Sequence, residues 1–110
     1  MEVEWLPFAS KQLKEIIAYI TENFGENTAK KSLRKIFDRL NHVGRYPESG
    51  IWDEKFSTAN ITIRHLNIGP NIIFYLVDND HLVVIAVMHS KQSPVTINQT
   101  ISNLLTHYEK

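Results

Sequence analysis

Apolar positions fall at helical spacing twice in the first half of the chain. Leu13, Ile16, Ile17, Ile20 and Phe24 mark one stripe. Ala29, Leu33, Ile36, Phe37, Leu40 and Val43 mark the other. Recurrence at i, i+3, i+4 and i+7 predicts two amphipathic helices. Ser10 is a plausible N-cap for the first, and Gly25 sits where a C-cap glycine belongs. Asn27 can cap the second, which Gly44 ends. The short "GEN" link makes the pair an antiparallel helical hairpin. Ahead of it, "VEWLPF" reads as a short strand limited by Pro7.

The second half changes period. After a loop, "RYPESGIWDEKF", the segment "ITIRHLNI" alternates around Arg64. "GPN" is a turn signal, and "DND" between "IIFYLV" and "HLVVIAVM" is a hairpin turn. Strands over 61–66, 71–77 and 82–88 then form an antiparallel meander, with the helices covering one face. In the tail, Ile97, Ile101, Leu104, Leu105 and Tyr108 return to helical spacing and predict a short third helix. The order β-α-α-β-β-β-α defines one α+β domain over 1–110, with 95–110 as a C-terminal helical extension.

Composition narrows the class. The chain has 110 residues, 43% hydrophobic and 22% charged, which suits one soluble globular domain. It contains no cysteine, so disulfide frameworks and thiolate zinc sites are excluded. "MEVEWLPF" has neither a basic n-region nor an apolar h-region, so no signal peptide is expected. The apolar runs are too short to span a membrane, and the expected localisation is cytoplasmic. The formal net charge is zero, which counts modestly against a general nucleic-acid binder. Any such role must rest on local clustering. One cluster exists, Lys30, Lys31, Arg34, Lys35 and Arg39. It is either a nucleic-acid surface or a solvated helix face.

The chemistry concentrates where the most hydrophobic segment ends. "VVIAVMHSKQSP" runs from a core strand into His89, Ser90 and Lys91, and Pro94 stops it. In an extended segment His89 and Lys91 point to one face. They are either ordinary exit residues or the rim of a phosphate-handling site. His42, His81 and His107 have no ligand spacing, so no metal site and no cofactor is expected. No Gly-rich phosphate loop or nucleophile elbow is present.

Four stretches together resemble the RelE/ParE superfamily of toxins from type II toxin–antitoxin systems. "FASKQLKEIIAYITENFGENTAKKSLRKIFDRLNHV" is similar to the family's opening hairpin, and "YPESG" to its P-x-x-G loop. "IRHLNIGPNIIFYLV" resembles its R-x-L-x-x-G-x-x-x-I-x-Y strand pair. "VVIAVMHSKQSP" is similar to its last strand, which commonly ends in H-x-R. The resemblance covers roughly residues 3 to 94. It implies a growth-inhibiting toxin neutralised by a cognate antitoxin. RelE-like members block translation by ribosome-dependent cleavage of mRNA. ParE-like members inhibit DNA gyrase. A degenerate member would only bind its antitoxin.

Cleavage of RNA without metal needs a proton acceptor, a cation for the phosphorane and a donor to the leaving oxygen. On the RelE-like reading, His89 transfers protons, and Lys91 and Arg64 stabilise charge, from one shallow cleft. Lys91 stands where the family has Arg and keeps the charge without the bidentate fork. Arg64 either contacts RNA from an open sheet face or pairs with a surface carboxylate or the antitoxin. Tyr75, Arg45 and Lys55 are the RNA-binding candidates, Tyr75 with the alternative of a buried ring and satisfied hydroxyl. The chain departs from the RNA-cleaving pattern at Ile72, a position often held by Arg. Lys55 is the residue that could compensate.

Overall fold

In the computed structural model, which describes residues 1–108, five strands form one sheet flanked by helices on both faces. The elements are β1 (Glu2–Trp5), α1 (Pro7–Phe24), α2 (Glu26–Arg45), β2 (Ile51–Trp52), β3 (Arg64–Ile68), β4 (Asn71–Asp78), β5 (His81–His89) and α3 (Pro94–Tyr108). Short 3-10 turns at Pro47–Ser49 and Glu54–Phe56 shape the loop between α2 and β3. The α+β class and the element order match the expectation. Residues 109 and 110 of the expected extension, and the side chain of Tyr108, lie outside the described residues.

Helix boundaries differ from the expectation for identifiable reasons. α1 begins at Pro7 with Leu6 as its N-cap, and Ser10 is already inside, its N–H bonded to the Leu6 carbonyl at 3.0 Å. Proline has no N–H to leave unsatisfied, and its fixed φ suits the first helical position. Gly25 alone joins the helices. At φ 93° it closes α1 through its N–H to Thr21 O and opens α2 through its carbonyl to Ala29 N–H. Asn27 therefore lies within α2 and caps nothing. Gly44 does not end α2, which runs on to Arg45.

The sheet order is β1-β5-β4-β3-β2. β3, β4 and β5 form the expected meander, and β2 adds antiparallel to β3. β1 pairs parallel with the first half of β5, Glu2 opposite His81 and Trp5 opposite Val84. The β4–β5 turn holds Asn79 at φ 49° and Asp80 at φ 63°, the positive dihedrals of a two-residue primed turn. A β-bulge interrupts the β4–β5 ladder, because Phe74 faces Ala86 and Tyr75 faces Val84, leaving Ile85 unpaired.

The sheet buries both faces. α1 and α2 lie on one, where Ile36, Leu40 and Val43 meet Leu66, Ile73, Tyr75 and Val84. On the other, Ile101 and Leu105 of α3 meet Phe74, Ile85 and Met88, with Phe56 and Ile63 beside them. The expectation of one covered face is corrected here. The stripe of the tail packs on the chain's own core, where Ile101 is fully buried. α1 is the less submerged of the two hairpin helices. Only Ala9 is fully buried, and Phe24, expected in the core stripe, is 64% exposed.

Candidate functional site

β3 carries Arg64 on the face shared with Leu66 and Ile68, the face covered by α1 and α2. It does not stand on an open sheet face. Its Nη1 donates to the carbonyls of Glu48 at 3.2 Å and Gly50 at 3.0 Å. Opposite it on β4, the Tyr75 hydroxyl donates to Pro47 O at 2.8 Å and accepts the Gly50 N–H at 3.0 Å. Together these two side chains clamp the "YPESG" loop onto the sheet. Gly50 is required by proximity, since a Cβ there would meet the Tyr75 ring at 2.7 Å. Burial raises the Tyr75 pKa above the ordinary 10.0, opposed by the Gly50 N–H and the Arg64 charge. Tyr75 is 1% exposed, so its placement as an RNA contact is corrected to a loop clamp.

β5 ends at His89, and the bulge at Ile85 decides where that residue points. Val87 joins the core under α1 and α2 while Ala86 and Met88 join the core under α3. By alternation His89 falls on the α1 side. Beyond it the chain turns tightly. Gln92 N–H donates to His89 O, and Gln92 Oε1 accepts the His89 N–H at 2.8 Å. The Lys91 N–H donates to His89 Nδ1 at 3.0 Å. Nδ1 is thereby an acceptor, which leaves the neutral ring's proton on Nε2. The Nε2–H of such a ring can donate to an oxygen.

His89 and Lys91 border a groove of about 620 Å³ whose opposite wall is α1. Ile16, Tyr19, Ile20 and Phe24 supply its apolar side, and Val87 and Pro70 lie against it. Tyr19 is 61% exposed and meets Phe24 edge to face at 6.5 Å. Gln12 ties the groove to the sheet, its Oε1 accepting the Val87 N–H at 2.7 Å. The aromatic wall was legible only weakly, because Tyr19 lies off the stripe that defines the helix.

The strand register separates the expected catalytic set. Asn71 of β4 faces His89, and Tyr75 of the same strand faces Arg64. Four residue steps separate the two levels, about 13 Å along the strand, and two strand spacings, about 10 Å, lie across it. His89 and Lys91 are thus brought together, and Arg64 is not. Arg64 lines a separate cleft of about 340 Å³ with Pro47, Glu48, Asn60 and Thr62. Ile72 lies against Met88, on the face covered by α3, where no cation takes its place. Lys55 is on the far loop, its Nζ 5.2 Å from the Phe56 ring centroid, and Arg45 is exposed at the end of α2. Lys55 lies just past β2, the edge strand three positions from β5 in the sheet.

Sequence reasoning missed one polar pair. His65 Nδ1 lies 2.8 Å from Asp53 Oδ2, with side chains 19% and 11% exposed. The His65 ring rests on Phe74 at 5.6 Å. The pair pins the 53–57 loop to β3. A sequence separation of 12 gave it no sequence signature. Among the described residues, no group of three His, Cys, Asp or Glu is placed to hold a metal ion. No helix among them is long and apolar enough to cross a membrane.

Comparison with known proteins adds a family. Residues 3–94 match the family model described as the ParE toxin of the type II toxin–antitoxin system parDE. A solved structure titled "Chromosomal ParDE TA system from P. aeruginosa" superposes with a TM-score of 0.64 at 15% identity. The superposition covers 83% of this chain and 97% of that one, and at such identity it establishes the shared fold. No curated protein matches the sequence.

Proposed function

The chain belongs to the ParE toxin family of type II toxin–antitoxin systems, and on that premise we propose that it arrests growth by binding and inhibiting DNA gyrase, without catalysing a reaction on RNA. The sequence alone put a block of translation first, with mRNA cleavage as its mechanism. The observation that carries the other reading is the strand register, which puts Arg64 about 13 Å down the sheet from His89. Phosphoryl transfer depends on charged donors fixed around one phosphate. Here the arginine is occupied by two loop carbonyls, the imidazole presents Nε2–H, and Ile72 stands where RNA-cleaving relatives often carry Arg. Among the residues lining the groove with His89, Lys91 is the one lysine or arginine, and Glu15 opposes its charge.

The proposed neutralising partner is a cognate antitoxin. A half-exposed α1 with Tyr19 and Phe24 on its outer side supports this, since an apolar groove with aromatic walls suits an amphipathic segment laid along it.

Induced expression with separate pulse labelling of DNA and protein synthesis tests the reading. Early loss of DNA synthesis, with purified protein blocking gyrase supercoiling in vitro, is the expected result. Early loss of protein synthesis overturns it in favour of a translation target. Unchanged synthesis of both identifies a non-toxic member that only binds its antitoxin.

A further inference from the structure

Net charge conceals a segregation. α2 holds six of the chain's twelve Lys and Arg and only two of its twelve carboxylates. Lys30, Lys31, Arg34, Lys35, Arg39 and Arg45 are all exposed. At 3.6 residues per turn they occupy about half of the helix circumference, along about 22 Å of its length. The other half is buried through Ala29, Ile36, Leu40 and Val43. Glu26 answers Lys30 at 3.3 Å, and Asp38 is the one carboxylate inside the basic arc. Among the described residues, Lys31, Arg34 and Lys35 have no carboxylate within ion-pair distance. Like charges at Lys31 and Lys35, one turn apart, oppose helix formation. The fold tolerates that opposition on its most strongly patterned helix.

From this geometry we propose that the outer face of α2 is a track for the phosphate backbone of duplex DNA. Choosing DNA rests on the gyrase reading above, since that enzyme's own substrate is duplex DNA. Three features of the face favour this occupant. A peptide partner is anchored by large apolar side chains in pockets. The only large exposed hydrophobe of α2 is Phe37, at the margin of the arc, where it meets Trp5 edge to face at 6.3 Å. Single-stranded RNA is held mainly by stacking on aromatic platforms. Of the exposed rings near the face, Phe37 is already engaged with Trp5, and Tyr46 lies past the helix end, tilted against His42 at 5.1 Å. A duplex presents a regular array of phosphates, and about 22 Å of rigid helix matches about six base-pair steps of rise along its axis. The contacts would be electrostatic and independent of sequence.

The test is fluorescence anisotropy of a labelled duplex of about 20 base pairs titrated with the full chain, without gyrase. The expected dissociation constant at low salt falls between about 1 and about 100 μM, and binding weakens steeply from about 50 to about 200 mM salt. The triple variant Lys31→Gln, Arg34→Gln, Lys35→Gln should bind at least ~10-fold more weakly, with the salt slope reduced by about three. Its melting temperature should be unchanged, because all three side chains are exposed. No binding up to about 100 μM overturns the proposal. So does equal binding by the triple variant, or tighter binding to single-stranded RNA or to polyglutamate. Gyrase inhibition without DNA binding overturns this inference and leaves the target reading intact. DNA binding without gyrase inhibition does the reverse.

Discussion

The Tyr75 hydroxyl stands between two backbone groups of one loop, 3.0 Å from Gly50 N and 2.8 Å from Pro47 O. A buried phenol so placed makes the loop part of the sheet. The neighbouring Arg64 closes the same loop from its exposed side through Glu48 O and Gly50 O. Residues that a phosphate-binding reading would set around a substrate are here set around the chain itself.

Tyr75→Phe keeps the ring and leaves the Gly50 N–H buried without an acceptor. The expected loss is about 1–3 kcal/mol, the penalty for an orphaned buried donor. Thermal unfolding should show a melting temperature several degrees lower. An unchanged value would mean that water replaces the hydroxyl.

The same phenol gives stability an alkaline limb. Its pKa is raised in the folded state by burial, so the native chain holds the proton to higher pH than the unfolded chain. This contribution is fully present below the ordinary value of about 10 and declines as pH rises past it toward the folded pKa. Urea midpoints measured from about pH 9 to about pH 12 should fall less steeply in Tyr75→Phe than in the natural chain.

Asp53→Ala removes the acceptor of His65 Nδ1 in a mostly buried pair. The expected cost is about 1–3 kcal/mol. Limited proteolysis should then cut the 53–60 loop sooner than in the natural chain, because the loop loses its pin to β3. Equal cleavage rates would show that Ser57, bonded to Asp53 O and Ile63 N–H, holds the loop alone.

Ile101→Ala opens a cavity under α3 at a fully buried position. Such a truncation costs about 2–5 kcal/mol. Denaturant unfolding of the isolated chain should register that loss without any antitoxin present. A change below ~0.5 kcal/mol would mean that α3 is held to the sheet only when a partner covers it.

His89→Ala and Lys91→Ala separate the two readings of toxicity. If the protein acts by occupying its target, each variant should still arrest growth, with at most a small fall in melting temperature in His89→Ala, which removes the acceptor of the Lys91 backbone N–H. Abolished arrest with an unchanged melting temperature would restore the catalytic reading of this strand end.

Local physics made much of the fold legible. The stripes through Ile36, Leu40 and Val43 and the apolar runs of β4 and β5 announced their elements, because burial dictates their period. Asp78-Asn79-Asp80 announced its turn, since Asn and Asp tolerate the left-handed region. The start of α1 was misplaced because a proline at the first helical position reads equally well as the end of a strand. The candidate site was less legible still. Whether His89 meets Arg64 depends on how β4 pairs with both neighbours, and on a bulge at Ile85 that no residue type marks. Long-range register is a property of the assembled sheet. Motif spacing reports the residues and is silent on the distances between strands.

The parallel pairing of β1 with β5 also sets a clock. Glu2–Trp5 are made before both helices, yet their hydrogen-bonding partners, His81–Val84, follow only after α1, α2, β2, β3 and β4. Until then α1 and α2 have only the β3–β4 hairpin to bury their apolar sides against. At a synthesis rate of about 5–20 residues per second, the nascent chain waits about 4–16 s between making its first strand and the strand that receives it. A prematurely terminated product lacking β5 cannot complete the sheet and cannot become a working toxin. The chain's activity is thus tied to full-length translation, and an interrupted message yields an incomplete domain for the cell's proteases.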